Sequence, residues 1–111
     1  MGLTKKEQSF DEELITSASL FKALGHPARL AILKYLAETK TCITGDIAEE
    51  IPLSRTTVNQ HLKELKKVGL IRGKVEGVKT NYCLEPEKIE WLEKTLQSFI
   101  KNLDPNDNYC K

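Results

Sequence analysis

The sequence predicts a mainly α-helical domain with one small β-hairpin, in the order α-α-α-α-β-β-α. Three observations predict it. Apolar residues recur at steps of three and four through most of the chain, the spacing of one helix face. Near the middle, two such segments are separated by only about three residues, the short connection of a helix-turn-helix. Directly after the second segment, two extended runs flank "EGV", a glycine-containing hairpin loop.

Each element follows from its residues. From about Ser9, Phe10, Leu14, Ala18, Phe21 and Leu24 form one stripe, which Gly25 ends. Pro27 suits the first turn of the next helix, where a missing N–H costs nothing. Leu30, Leu33, Leu36 and Ala37 are expected to be its apolar face, through about Glu38. "TKTC" breaks the pattern, and Thr44 is expected to cap a short helix over 45–50 that points Ile47, Ala48 and Ile51 inward. Pro52 stops that helix. Ser54 caps the next, which packs through Val58, Leu62, Leu65 and Val68 and ends at Gly69, the place for a left-handed residue. "LIRGKV" and "KTNYCL" are the two strands, and Pro86 starts a last helix with Ile89, Leu92, Leu96, Phe99, Ile100 and Leu103 on a broad apolar face. The expected organisation is a flexible N-terminus over 1–8, one domain over 9–103 and a flexible tail over 104–111.

At 111 residues the chain suits a single domain that buries a core without covalent staples. No apolar run reaches the ~20 residues of a membrane span, and the opening "MGLTKKEQSFDEEL" holds no secretory apolar region. Three cysteines, at 42, 83 and 110, are an odd number, a poor disulfide framework that fits a reducing cytoplasm. Net charge is only +1, but it is unevenly spread. Between Ser54 and Asn81 seven cations face two anions, a net +5, so the rest of the chain carries −4. A basic strip of this kind either meets a polyanion or is a solvated surface.

The residue types favour the polyanion. The first turns of the capped helix offer Ser54, Arg55, Thr56, Thr57, Asn59 and Gln60. Arginine reads guanine through two acceptors, Asn and Gln read adenine, and a threonine methyl meets the thymine methyl. Val58 and Leu62 do the packing, which leaves Arg55, Asn59 and Gln60 for bases. Lys63, Lys66 and Lys67 come later and suit phosphates, as do Arg72, Lys74 and Lys79 in the hairpin. A helix-turn-helix followed by such a hairpin is a winged helix-turn-helix, a two-part grip on double-stranded DNA. His61, mid-helix, reads as a partly buried histidine whose ring N–H bonds backbone or phosphate, because the only other histidine is His26 and a metal site needs more ligands.

"LFKALGHPARLAILKYL" resembles the opening signature of the ArsR/SmtB winged-helix repressors, "LKAL-DPTRL-IL-LL", with Gly25-His26 in place of an acidic cap. "DIAEEIPLSRTTVNQHLKELKKVGLIRGKVEGVKTNYCL" resembles that family's "ELA-LGLSQSTVS-HLK-L--AGLV--RREGR-VYY-L". The likeness runs from about Phe21 to Leu84. It implies a homodimer through the first and last helices, an inverted-repeat operator and repression relieved by an effector. It assigns recognition to Arg55, Thr56, Thr57, Asn59 and Gln60, and wing contacts to Lys74, Gly77 and Lys79. Periodicity agrees with a dimer, since both outer helices are more apolar than a monomer needs.

The effector pattern departs from the family's. Arsenic-sensing members carry "ELCVCDL"; this chain reads "TCITGDI", with Ile43 and Gly45 at the two cysteine positions and Cys42 one residue out of register. Zinc-sensing members use Asp and His along the last helix, and 87–101 holds neither. No cofactor is required, and the metal is unknown. Three readings of Cys42, Cys83 and Cys110 stay open: small buried hydrophobes, a metalloid or soft-metal site, or a thiol–disulfide switch. Alternation places Asn81 and Cys83 on one face of their strand and Tyr82 on the other. Among other function classes, an enzyme lacks its constellation here: no phosphate loop, no nucleophile elbow, no framed carboxylate pair. A winged helix that binds protein instead of DNA is the alternative, and it would tolerate an acidic or apolar recognition helix.

Overall fold

The computed structural model describes residues 10–39, 43, 44, 47–77, 79–104 and 106. The elements, in order, are α1 (Glu12–Ala23), α2 (Pro27–Thr39), β1 (Ile43–Thr44), α3 (Ile47–Glu50), α4 (Arg55–Lys67), β2 (Ile71–Glu76), β3 (Lys79–Leu84) and α5 (Pro86–Leu103). The predicted succession of helices and hairpin is present, with one strand added.

That strand corrects the reading of Thr44 as a helix cap. Ile43 and Thr44 pair antiparallel with Tyr82 and Asn81, so the sheet has three strands in the order β1-β3-β2. Two residues are too few for a period to show in sequence, and the partner strand supplies the order. The short helix therefore begins at Ile47, with Ile47 and Ile51 buried; the side chain of Ala48 lies outside the described residues.

Two further expectations shift by a helical rotation. In α1 the buried residues are Leu20 and Ala23, while Phe10 and Leu14 of the predicted stripe are exposed. In α2 the buried ridge is Ala28, Ile32 and Leu36, each four apart, and Leu30 is 53% exposed. Leu30 lies two residues from Ala28, about 200° around the helix, so it cannot share that ridge.

The core gathers Leu20, Ala28, Ile32, Leu36, Ile47, Ile51, Val58, Leu62, Leu65, Leu70 and Ile71. Every described element except β1, β3 and α5 gives it a fully buried residue, and each large one contributes about 1.5–3 kcal/mol by leaving water. α4 is fixed at both ends. The Ser54 side chain accepts from the Thr57 N–H at 3.2 Å. At the other end Gly69 adopts φ +84°, its N–H donates to Lys66 O, and Leu70 N–H donates to Leu65 O. This is a Schellman turn, completed by burial of both Leu65 and Leu70. The next residue, Ile71, opens β2, so the hairpin leaves α4 without a free joint. Gly77, at φ +64°, turns the hairpin where a side chain would be strained.

α5 starts at Pro86, as predicted, and lies outside this core. Ile89, Trp91 and Leu92 pack partly against it, and Phe99 meets Phe21 of α1 edge to face at 6.0 Å. None of its residues is buried, although its apolar face is broad. Leu96, Phe99, Ile100 and Leu103 are each between 41% and 53% exposed.

Candidate nucleic-acid interface

The inner face of α4 is Val58, His61, Leu62 and Leu65, all buried. Because the helix turns once every 3.6 residues, that face sends Arg55, Thr56, Asn59, Gln60 and Lys63 outward, and all five are exposed. The side chains expected to read bases thus share the open side of one capped helix. Ser54 and Thr57 have a local duty as well: their hydroxyl oxygens lie 2.9 Å apart, on the cap itself. The first turn carries no acidic residue, so its N–H groups and positive dipole end face outward without a competing carboxylate.

In the wing, Lys74 and Gly77 are exposed, with Lys74 opposite Asn81 in the register. Lys79 pairs with Glu76 in the ladder; the side chains of both lie outside the described ones. Arg72, expected to suit a phosphate, also has a partner within the chain. Its Nε stands 3.0 Å from Oε1 of Glu85, a close ion pair without hydrogen-bond alignment. Arg72 therefore ties the base of the wing to the residue that precedes α5.

His61 is the one buried polar residue among those described, at 8% exposure, and its contacts differ from the expectation. Its Nδ1 accepts from Arg29 Nε at 3.1 Å, instead of a ring N–H donating outward. The His26 ring lies 4.2 Å away, centroid to centroid, and His26 Nδ1 accepts from the Ala28 N–H at 3.0 Å, capping α2. Burial chiefly, then the neighbouring His26 and Arg29, hold the His61 pKa below its ordinary 6.5. The spacing of His61, three after Val58 and four before Leu65, could have placed it on the inner face. Nothing in sequence pairs it with Arg29, 32 residues away.

The cysteines divide. Cys83 is buried on β3 and disulfide-bonded. Its partner is one of the other two cysteines, Cys42 and Cys110, which both lie outside the described residues. The reading of the chain as a poor disulfide framework is corrected by this cross-link, and of the three open readings of the cysteines, unpaired small hydrophobes no longer applies to Cys83. Its sulfur is not a free thiolate, and no group of three His, Cys, Asp or Glu suited to a metal ion occurs among the described residues. The zinc positions of the last helix do not fit either: across 87–101 α5 supplies neither His nor Asp. No described helix is long and apolar enough to cross a membrane.

A buried-face helix held open at its first turn, a short helix before it and a basic hairpin after it define a winged helix-turn-helix, the class of protein that reads duplex DNA. Comparison with known proteins narrows the class. A family model described as a helix-turn-helix domain matches residues 24–74. An HTH-type transcriptional regulator of Methanocaldococcus jannaschii, MJ1325, is 34% identical over 75% of this chain and 93% of that one. The transcriptional repressor SmtB of Mycobacterium tuberculosis is 33% identical over 66% of this chain and 53% of its own length. Among solved structures, the homodimeric winged helix-turn-helix DNA-binding domain Mb0332 of Mycobacterium bovis, an ArsR-family candidate, superposes with a TM-score of 0.64 at 24% identity, covering 100% of this chain and 99% of that one. The chain belongs to the ArsR/SmtB family of winged helix-turn-helix transcriptional regulators. It is a DNA-binding regulator and not an enzyme.

Proposed function

We propose that two copies of the chain join through α1 and α5 into a cytoplasmic repressor that binds an inverted-repeat operator. The carrying observation is the outer face of α4, where Arg55, Thr56, Asn59 and Gln60 stand exposed beside the Ser54 cap. Two such helices related by a two-fold axis enter successive major grooves. Lys63 and Lys74 hold the backbone on either side, and Gly77 and Lys79 complete the wing contact. The apolar residues left exposed on the two outer helices support the dimer, as does the homodimeric state named for the Mb0332 domain.

For the effector, the register favours thiol chemistry over a metal. Ile43 stands opposite Tyr82 and Thr44 opposite Asn81. Cys42 directly precedes Ile43 in the sequence and Cys83 directly follows Tyr82, so Cys42 is our candidate for the disulfide partner, with Cys110 outside the pair. Thiol–disulfide exchange with a small dithiol would open the bond, the protein gaining two electrons and two protons as the dithiol leaves oxidised. The strand leading into the helix-turn-helix is then freed from the wing.

The test is fluorescence anisotropy of the dimer on the duplex upstream of its own gene, across a salt series. The expected result is tight, salt-sensitive binding, which Arg55→Ala weakens about tenfold or more on that duplex, at 1–3 kcal/mol for a bidentate base contact, and far less on random DNA. Equal loss on both would make Arg55 a phosphate contact, and no binding at any salt would end the operator reading. Non-reducing peptide mapping tests the thiol arm: a Cys83–Cys110 peptide would remove Cys42 from it.

A further inference from the structure

The contacts of His26, Arg29 and His61 show more than a satisfied histidine. Backbone N–H and guanidinium Nε–H groups can only donate. Both imidazoles therefore hold Nδ1 as a bare acceptor: His26 towards Ala28 N at 3.0 Å and His61 towards Arg29 Nε at 3.1 Å. An imidazolium carries a proton on both nitrogens and accepts nothing. The arrangement therefore exists only while each ring is neutral, a conclusion that follows from the donors alone.

What the cluster joins is equally specific. Arg29 Nη1 donates to the carbonyls of Lys22 and Ala23, each at 3.3 Å, at the C-terminal end of α1. Its Nε reaches across to α4. One guanidinium thus links α1, α2 and the middle of the helix that carries the DNA-reading residues, and His61 is its only side-chain partner on α4 among the bonds described. Gln60, adjacent to His61 on that helix, is an assigned base contact and lines the same cleft.

The surroundings are poor in anions. The charged groups around the His61 ring are Lys22 of α1, Arg29 and His26 at α2, and Glu64 and Lys67 of α4. One carboxylate faces three permanent cations and a second imidazole. Protonating His61 there removes the Arg29 bond and sets an imidazolium against the Arg29 guanidinium with little to neutralise them. The cheapest relief is to move α4 away from α2.

We propose that the Arg29–His61–His26 cluster is an acid-sensitive brace that positions α4, so that operator affinity falls as the pH drops below neutral. The proposal rests on the reading of α4 as the operator reader. His61 is a positioning residue in it and touches no DNA. The sign follows from which state takes the proton. His61 released from the cluster titrates at its ordinary 6.5, and in the cluster below that. The brace is whole above pH 6.5, weakens as the pH falls through 6.5, and is fully lost once the lower value is passed. The ordinary response of a DNA-binding protein is the reverse, because acid adds positive charge and strengthens contact with a polyanion.

The experiment measures anisotropy on the same upstream duplex from pH 7.5 to 5.5 at constant ionic strength, with hydrogen exchange of the α4 amides over the same range, corrected for the intrinsic pH dependence of exchange. The parent is expected to lose affinity steadily as the pH falls through that range, and α4 protection is expected to fall in step. His61→Asn keeps an acceptor oxygen near the Nδ1 position and does not titrate. Relative to its own value at pH 7.5, its affinity is expected to stay level or rise in acid. His26→Asn retains a capping oxygen and removes the second imidazole, so its midpoint of loss moves to higher pH. A parent whose affinity holds or rises in acid while α4 protection is unchanged overturns the brace, as does a His61→Asn profile that matches the parent's. If no DNA is bound at any pH, the operator reading fails, and the exchange profiles of the parent and His61→Asn still decide the brace.

Discussion

α4 and α5 are both amphipathic helices with broad apolar faces, yet the fold treats them differently. The apolar side of α4 is buried within one copy of the chain, and that of α5 is left largely in water. The difference teaches where the protein is complete. One chain suffices to build, cap and brace a reading helix. It leaves the apolar side of its outer helices open to water, the surface on which we propose that a second copy docks.

Single substitutions should separate the two helices, beginning with the largest effect. Leu65→Ala removes a fully buried side chain that also closes the Schellman turn, and is expected to cost about 2–5 kcal/mol in urea unfolding. Leu96→Ala, on the half-exposed face of α5, is expected to cost well under half of that in dilute protein. Equal losses there would erase the contrast. Phe99→Glu sets a charge among exposed apolar residues and the Phe21 contact. Sedimentation should show a dimer weakened about a hundredfold, the ~2–4 kcal/mol of a truncated hot spot, with the helical signal of the monomer kept.

The ends of α4 come next. Gly69→Ala forces a side chain into the left-handed region and should cost about 1–2 kcal/mol, and Ser54→Ala about 1 kcal/mol through the lost cap. A thermal shift for Ser54→Ala as large as that for Leu65→Ala would mean that the cap carries more than its own hydrogen bond. Arg72→Ala is expected to be smallest, below about 1 kcal/mol, because the Arg72 side chain is 65% exposed in its ion pair with Glu85. If it nonetheless lowers DNA affinity as much as Lys74→Ala does, the wing base is a phosphate contact after all.

The sequence was most legible where one residue type dictates one backbone state. Ser54, Gly69, Gly77 and Pro86 each marked a cap, turn or helix start that the structure contains. It was less legible where a choice depends on distant partners. The apolar residues of α2 offered two faces, and the packing of α2 against α4 selected Ala28, Ile32 and Leu36 over Leu30. β1 exists because β3 is there to pair with it. Among the site residues, the exposed set on α4 could be derived from what the packing residues left over. Arg29 and His26 could not, since their partner is on another helix and no local spacing records it.

The Schellman turn at Gly69 has a mechanical side. Leu70, which closes it, also accepts from the Glu85 N–H through its carbonyl at 3.0 Å, so the end of α4, the root of β2 and the exit of β3 share one hydrogen-bonded knot. On the proposed operator reading, α4 and the wing are therefore the two jaws of a fixed-gap gauge. A duplex gripped by both must bring its grooves to that gap, and sequences that bend or narrow easily do so at lower cost than stiff ones. Bases that neither jaw touches thereby come to influence affinity through the flexibility they lend to the DNA.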